Sequence, residues 1–231
     1  LIFTSGSFHE PTGYKKTLER KRILLEAAYK YRVPIIEEDW ASDLCYTEDG
    51  CTSLKALDRG NHVIYIYSFA LTFVPGVHAA LVNGPKDFIN YLCHLLPVKE
   101  ICADNLSQAI LCCYIESGLY KKAVEDACIA NRDKRDIVCS KLQTLRDIGV
   151  VFDVPAGGIC VWCQLPATIE MKKLLDLSRR AGISFISGDA YFHKGTQGRQ
   201  FIKLNFTYPS RDQVSEGMDR LTQIIQEIIQ S

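Results

Sequence analysis

The sequence predicts an α/β chain in two parts: a large three-layer α/β/α part followed by a small α+β part. Three observations carry that expectation. Through the first ~100 residues, short apolar runs alternate with amphipathic stretches, as strands and crossover helices do. From about Lys86 to Ile148 the apolar period is helical throughout. From Gly149 onward, short strands and single helices alternate around Gly/Pro turns. The change of period places a boundary near residue 148, giving parts 1–148 and 149–231.

Each element follows from local chemistry. Leu1–Ser5 is a short apolar strand, and Pro11-Thr-Gly13 turns the chain. Thr17 is placed to cap a helix reaching about Tyr31, with Leu18, Ile23, Leu24, Leu25, Ala27 and Ala28 on a broad apolar face. Pro34–Glu37 is a buried strand that runs into acidic residues, and Val63–Tyr67 and His78–Val82 are two further strands. Helices are expected over Phe88–Leu95, Asn105–Glu116 and Lys121–Asp147. Beyond the boundary, strands Val150–Val154 and Gly158–Gln164 flank the turn Pro155-Ala-Gly-Gly158. Ile169–Ala181 is a helix, Ile183–Ser187 and Phe201–Thr207 are strands, and a helix from Arg211 to Ile229 closes the chain.

Bulk properties narrow the function classes. With 231 residues and 47% apolar content, the chain can bury a substantial core. Lys+Arg and Asp+Glu both number 27, so this polypeptide carries no dominant basic surface for nucleic acid. No apolar run approaches the ~18 residues of a membrane helix. The N-terminus lacks both a signal-peptide pattern and an initiator Met, so the chain is read as starting inside a longer protein. Ten cysteines sit mostly in apolar segments, where Cys packs as a small hydrophobe. The CxxC run, Cys160 to Cys163, falls on a strand, where residues three apart face opposite sides and suit neither a redox pair nor a zinc knuckle. Reduced thiols, no metal site and a cytoplasmic location are expected.

The segment Val63–His78 is the most specific motif: an apolar strand, then Ser68-Phe-Ala-Leu-Thr72, then Pro75-Gly76 and His78. Upstream stand His9-Glu-Pro-Thr-Gly13, the acidic strand end Ile35–Asp43, and Ser53–Asp58. Downstream stand Gly118-Leu-Tyr120, Pro155–Gly158 with Trp162, Gly182–Gly188 and Lys203–Thr207. In this order they resemble the aminotransferase-like domain of MocR-type transcriptional regulators in the GntR family. That domain has the fold-type I architecture of enzymes dependent on pyridoxal phosphate (PLP). The resemblance covers essentially the whole chain and the C-terminal half to two-thirds of the family's domain. The family's helix-turn-helix is not among these residues.

The resemblance implies a cofactor site whose residues have changed. Leu71 stands where the family has the Schiff-base lysine. Glu38 replaces the Asp that partners the pyridinium nitrogen, and Trp40 the Tyr that bonds the ring hydroxyl. Glu10 stands for the Asn before Pro-Thr-Gly, Ser68 matches a phosphate-binding hydroxyl, and His78 replaces the phosphate-gripping Arg. Lys203 replaces the Arg that forks onto a substrate carboxylate, keeping charge without the paired geometry. Lys15, Lys16 and Lys203 are the alternative amines only by default, since none lies in the lysine loop.

The implied function is an effector-binding and dimerisation domain of a GntR/MocR-type regulator, catalytically inactive and without covalent PLP. The alternative is a PLP-dependent class I aminotransferase acting on an amino acid. A homodimer, an amino-acid-like effector, DNA contact through a helix-turn-helix outside this chain, and no membrane contact complete the expectation.

Overall fold

A computed structural model of the chain describes residues 1–73, 79–99 and 104–230. Among them the chain forms two compact units: Leu1–His9 with Tyr14–Ala127, and Glu10–Gly13 with Cys128–Ser231.

The first unit holds a four-stranded sheet of β1 (Ile2–Ser5), β4 (Ile35–Asp39), β5 (Val63–Ser68) and β6 (Ala80–Asn83), in that spatial order. β1, β4 and β5 are parallel, and β6 returns antiparallel on the far side of β5. A two-stranded hairpin, β2 (Phe8–His9) with β3 (Tyr14–Lys15), lies between β1 and the first helix. That helix, α1 (Leu18–Tyr31), starts as its sequence requires: the Thr17 hydroxyl accepts the Arg20 N–H at 3.2 Å. It ends at Arg32 in the left-handed conformation. Leu25 and Ala28 of α1 pack with Ile35, Val63 and Leu54 into one core cluster. Leu54 belongs to a one-turn helix, α2 (Leu54–Leu57). α3 (Lys86–Lys99), α4 (Asn105–Glu116) and α5 (Leu119–Gln143) follow.

The second unit is an antiparallel sheet, β7 (Val151–Phe152), β8 (Cys160–Gln164), β10 (Phe201–Asn205) and β9 (Ile186–Ser187), in that order. Two helices complete it: α6 (Met171–Arg180) and α7 (Arg211–Gln230), which pack on each other. α7 buries Val214, Met218, Leu221, Ile225 and Ile228, a helical stripe at three- and four-residue spacing. Gly188 and Gly198 approach so closely that a Cβ on Gly188 would lie 2.5 Å from the Gly198 carbonyl oxygen.

Most expected elements are present, with shifts that have local causes. The long helix ends at Gln143 rather than Asp147, and a 3-10 turn at Arg146–Ile148 closes on Gly149 at φ 94°. β10 stops at Asn205, whose side chain accepts both the N–H and the hydroxyl of Thr207 and so turns the chain out of the sheet. The hairpin β2–β3 and the single turn α2 are additions to the expected list. The expected strand His78–Val82 is seen as β6 from Ala80, while His78 and the Pro75-Gly76 pair lie outside the described residues.

Candidate functional site

Strand parity organises the acidic end of β4. Ile35, Glu37 and Asp39 are buried on the core side, while Glu38 points the other way and is exposed. Glu37 is fully buried and accepts the N–H groups of Leu54 at 2.6 Å and Lys55 at 2.8 Å, so it seats the first turn of α2. Burial pushes its carboxyl above the usual range, and the two amides offset part of that rise. Nearby Lys21 is 2% exposed and donates to the Thr52 carbonyl at 2.5 Å. Burial holds its ammonium below the ordinary lysine value, against the pull of Glu37.

Asp39 is saturated. It accepts the Ser7 hydroxyl at 2.6 Å, the Ala41 and Ser42 amides at 3.3 and 3.0 Å, and the Tyr65 phenol at 2.9 Å. Burial, then the Asp39 charge, raise the Tyr65 phenol well above its usual value. Trp40 follows, half-buried. Sequence reasoning singled out Glu38 and passed over Asp39. The alternation Ile-Ile-Glu-Glu-Asp carried the signal, because a strand residue two places from Glu37 shares its buried face.

The loop after β5 is held by hydroxyls. Ser68 is half-buried, and its Oγ accepts the Ala70 N–H at 3.3 Å. The Phe73 N–H donates to the Phe69 carbonyl at 2.9 Å, closing one turn around Leu71. The Leu71 side chain is 47% exposed and brings no polar atom to the loop. On one side, the phenols of Tyr67 and Tyr120 both donate to Asp43 Oδ2, at 2.7 and 2.6 Å, and both lie within 3.2 Å of the Thr72 hydroxyl. Phe69 meets the rings of Tyr67 and Tyr120 edge-on. Asp43, Tyr67, Thr72 and Tyr120 were not among the expected site residues. Their convergence depends on the contact of β5 with the start of α5, which no local spacing reveals.

The default lysines of the first unit are engaged. Lys15 pairs with Asp49 at 2.8 Å. Lys16 donates to the Ser5 carbonyl at 2.9 Å and the Ser5 hydroxyl at 3.2 Å, and burial, then Lys21, lower its pKa.

Within the second unit, Lys203 and Glu10 form an ion pair. Lys203 sits mid-strand in β10 opposite Trp162 and is 5% exposed, whereas the Glu10 side chain is 39% exposed. The Tyr191 ring lies 5.6 Å from the Lys203 Nζ. Trp162 stacks on Phe201 at 5.2 Å and meets Tyr191 edge-on, so the ammonium sits beside an aromatic wall. Burial opposes its charge, but the hydrogen bonds to Glu10 and Tyr191 outweigh that, and its pKa ends above the ordinary lysine value. The expected residues thus fall into two groups. Glu38, Trp40, Ser68 and Leu71 belong to the first unit, and Glu10 and Lys203 to the second. His78 lies outside the described residues.

Comparison with known proteins gives this geometry a family context. No protein-family model matches the chain. It is 28% identical over 228 residues to aromatic-amino-acid aminotransferase 1 of Thermococcus litoralis, a match that takes in 98% of this chain and 54% of that protein. It is 27% identical over 228 residues to the uncharacterised HTH-type transcriptional regulator YdfD of Bacillus subtilis, covering 99% of this chain and 47% of the regulator. The crystal structure of Pyrococcus horikoshii kynurenine aminotransferase superposes with a TM-score of 0.88 at 27% identity, over 98% of this chain and 56% of that one. The chain has the fold of the PLP-dependent aminotransferases. Its homologues include both aminotransferases and helix-turn-helix regulators, and it spans about half the length of the curated relatives it matches.

Within the aminotransferase fold, the residues present do not fit a covalently held PLP. Val63–His78 contains no lysine, so the loop that follows β5 supplies no amine for the link. Among the described residues of the second unit, the buried Lys203 already has a carboxylate partner. Among the described residues there is no cluster of three or more metal-ligating side chains, and no helix is long and apolar enough to cross a membrane. A cavity of about 440 Å³ beside α7, lined by Asn205, Tyr208, Gln213 and Arg220 among others, includes none of the expected site residues.

Proposed function

We propose that this chain is the effector-binding and dimerisation part of a GntR/MocR-type transcriptional regulator and that it works without covalent PLP. The observation that carries the reading is Leu71. The aminotransferase scaffold is retained around it while the position that must hold an amine for Schiff-base chemistry holds an aliphatic side chain. The regulators among its relatives support the biological role. Contact with DNA is assigned to a helix-turn-helix segment outside these residues, in keeping with the zero net charge here. The effector is amino-acid-like, the protein is cytoplasmic, and two copies associate. We place the functional division at residue 148, where the sequence period changes, although α5 runs through both compact units.

The test is optical. The purified protein, incubated with PLP and then with borohydride, should show no visible Schiff-base band and no permanent lysine adduct by intact mass. A stable adduct, or transamination of any amino acid, sinks the reading. Lys16 is then the amine to examine, since its depressed pKa makes it the most nucleophilic of the default lysines. Transamination of an amino acid that is lost in Lys16→Ala would favour the aminotransferase alternative.

A further inference from the structure

The cavity beside α7 belongs to neither group of expected site residues. Its volume of about 440 Å³ falls within the roughly 300–1,000 Å³ of small-molecule sites. All of its lining lies in the second unit: Val138 of α5, the turn after α6, the end of β10 with the residues that follow, and one side of α7. The floor is apolar, built from Leu204, Phe206, Val214, Met218 and Leu221, all of them buried.

Gly217 also lines the cavity, and it is the residue the fold explains least. It sits in the interior of α7, three residues after Val214 and four before Leu221, so the buried apolar stripe has a gap there. Glycine in a helix interior costs stability relative to alanine. Close packing accounts for Gly188, where a Cβ would strike backbone at 2.5 Å, whereas at Gly217 it would meet nothing within 4 Å among the described residues. The helix thus forgoes stability where no described atom requires a glycine. What the missing side chain leaves is room at the wall of the cavity.

Two charged side chains stand at the same wall. Glu216 and Arg220, one helical turn apart, form an ion pair, and both line the cavity. Both are more than half exposed, and an exposed pair of this kind is weak, so a ligand can draw either head away at little cost. The Arg220 guanidinium also donates to the Ala181 carbonyl at 3.0 Å, which ties it to the end of α6. A guanidinium has more donors than these bonds use, and a carboxylate has more than one acceptor site.

We propose that this cavity is the effector site and that it takes a zwitterionic α-amino acid with an apolar side chain. The ligand carboxylate meets Arg220, its ammonium meets Glu216, and its side chain lies on the apolar floor in the space that Gly217 leaves. A ligand with only one of the two charges leaves the other head unmatched. The inference rests on the function proposed above and adds the place and chemical class of the effector. While Glu10 occupies Lys203, the second unit still offers a pair of opposed charges here.

The test is isothermal titration of the whole chain with L-phenylalanine and L-leucine, set against hydrocinnamate and phenethylamine. The amino acids should bind, and the two analogues that lack one charge should bind at least about tenfold more weakly. Gly217→Leu fills the gap and should abolish binding. Gly217→Ala should raise the midpoint of thermal unfolding without ligand while weakening binding. Arg220→Gln should weaken the amino acids about tenfold without weakening phenethylamine. If the amino acids bind Gly217→Leu as they bind wild type, the effector is met elsewhere, and the regulatory reading stands without this cavity. If Gly217→Ala is less stable than wild type, the fold itself needs the glycine and the argument for a ligand fails. If neither amino acid binds wild type, the site is overturned, and the effector reading survives only where another amino acid shifts the unfolding midpoints of wild type and Gly217→Leu equally.

Discussion

Removing the Glu10 carboxylate should destabilise the second unit far more than removing its partner. Lys203 is 5% exposed, so an ammonium left alone there cannot recover its hydration, while Glu10, at 39%, can turn to water. Exposed ion pairs are worth ~0.2–1 kcal/mol, and breaking a fully buried pair costs ~3–5 kcal/mol. A pair buried on one side lies between these, so Glu10→Gln is expected to cost about 2 kcal/mol and Lys203→Met about 0.5 kcal/mol or less. The double variant should sit near Lys203→Met, because the stranded charge is gone, giving a coupling of about 2 kcal/mol. Urea unfolding at neutral pH measures all four proteins, provided the m-value stays constant. The pH dependence adds a second arm. Lys203 has a folded pKa above its unfolded value of 10.5, so its contribution is full below that value and is lost as pH rises through the folded pKa. In Glu10→Gln both contributions of Glu10 are gone while burial, Tyr191 and Cys160 remain, so the folded pKa falls relative to wild type. The gap between the variant and wild type therefore narrows as pH rises through the wild-type folded pKa of Lys203. Equal costs for the two single variants, with additive behaviour in the double, would refute the reasoning.

Three further outcomes are expected. Tyr120→Phe removes a phenol that burial, then the hydrogen bond to Asp43, push up to about 12. The loss should be about 1 kcal/mol at neutral pH, and the ultraviolet phenolate titration should lose one late-titrating tyrosine; an unchanged titration curve would contradict the assignment. Gly188→Ala places a Cβ 2.5 Å from the Gly198 carbonyl and 2.6 Å from the Phe201 Cβ, so backbone must move. A cost of about 2 kcal/mol by urea unfolding is expected, and a neutral result would show that the two loops separate freely. Leu71→Lys alone should not create tight PLP binding, because Glu38, Trp40 and His78 remain as they are. A borohydride-fixed adduct at micromolar PLP in that single variant would show that the lysine was the sole deficit.

What the sequence revealed depended on how local each cause was. α4 is found over the expected Asn105–Glu116, and α1 starts at the expected Thr17 cap, because capping and apolar period are set within a few residues. α2 was invisible. Four residues cannot stand as a helix alone, and this turn exists because Glu37, from another element, holds the Leu54 and Lys55 amides. The lysine loop was readable as a motif, but the Asp43–Tyr67–Thr72–Tyr120 cluster that holds it was not, since Asp43 and Tyr120 are 77 positions apart. Lys203 was noted for its charge alone. Its burial follows from Trp162 and Tyr191 beside it and from a carboxylate 193 positions away in sequence.

That last contact bears on what the proposed effector site can bind. The resemblance assigns the positions of Glu10 and Lys203 to cofactor and carboxylate recognition, and in this chain both side chains differ from the family's. Lys in place of Arg keeps one positive charge and gives up the two-point grip on a carboxylate. Glu in place of Asn supplies a carboxylate from within the protein, and the two are in contact. A tethered carboxylate has a far higher effective concentration than a free ligand. An amino acid arriving with its own carboxylate must therefore displace Glu10 into water, where its partial exposure lets it go, or bind elsewhere. On the function proposed here, Glu10→Gln should raise affinity for small carboxylates while lowering stability, and the two effects share one cause. Thermal shift with a series of amino acids separates them: if carboxylate ligands stabilise wild type and Glu10→Gln equally, Lys203 is not the group that meets the effector.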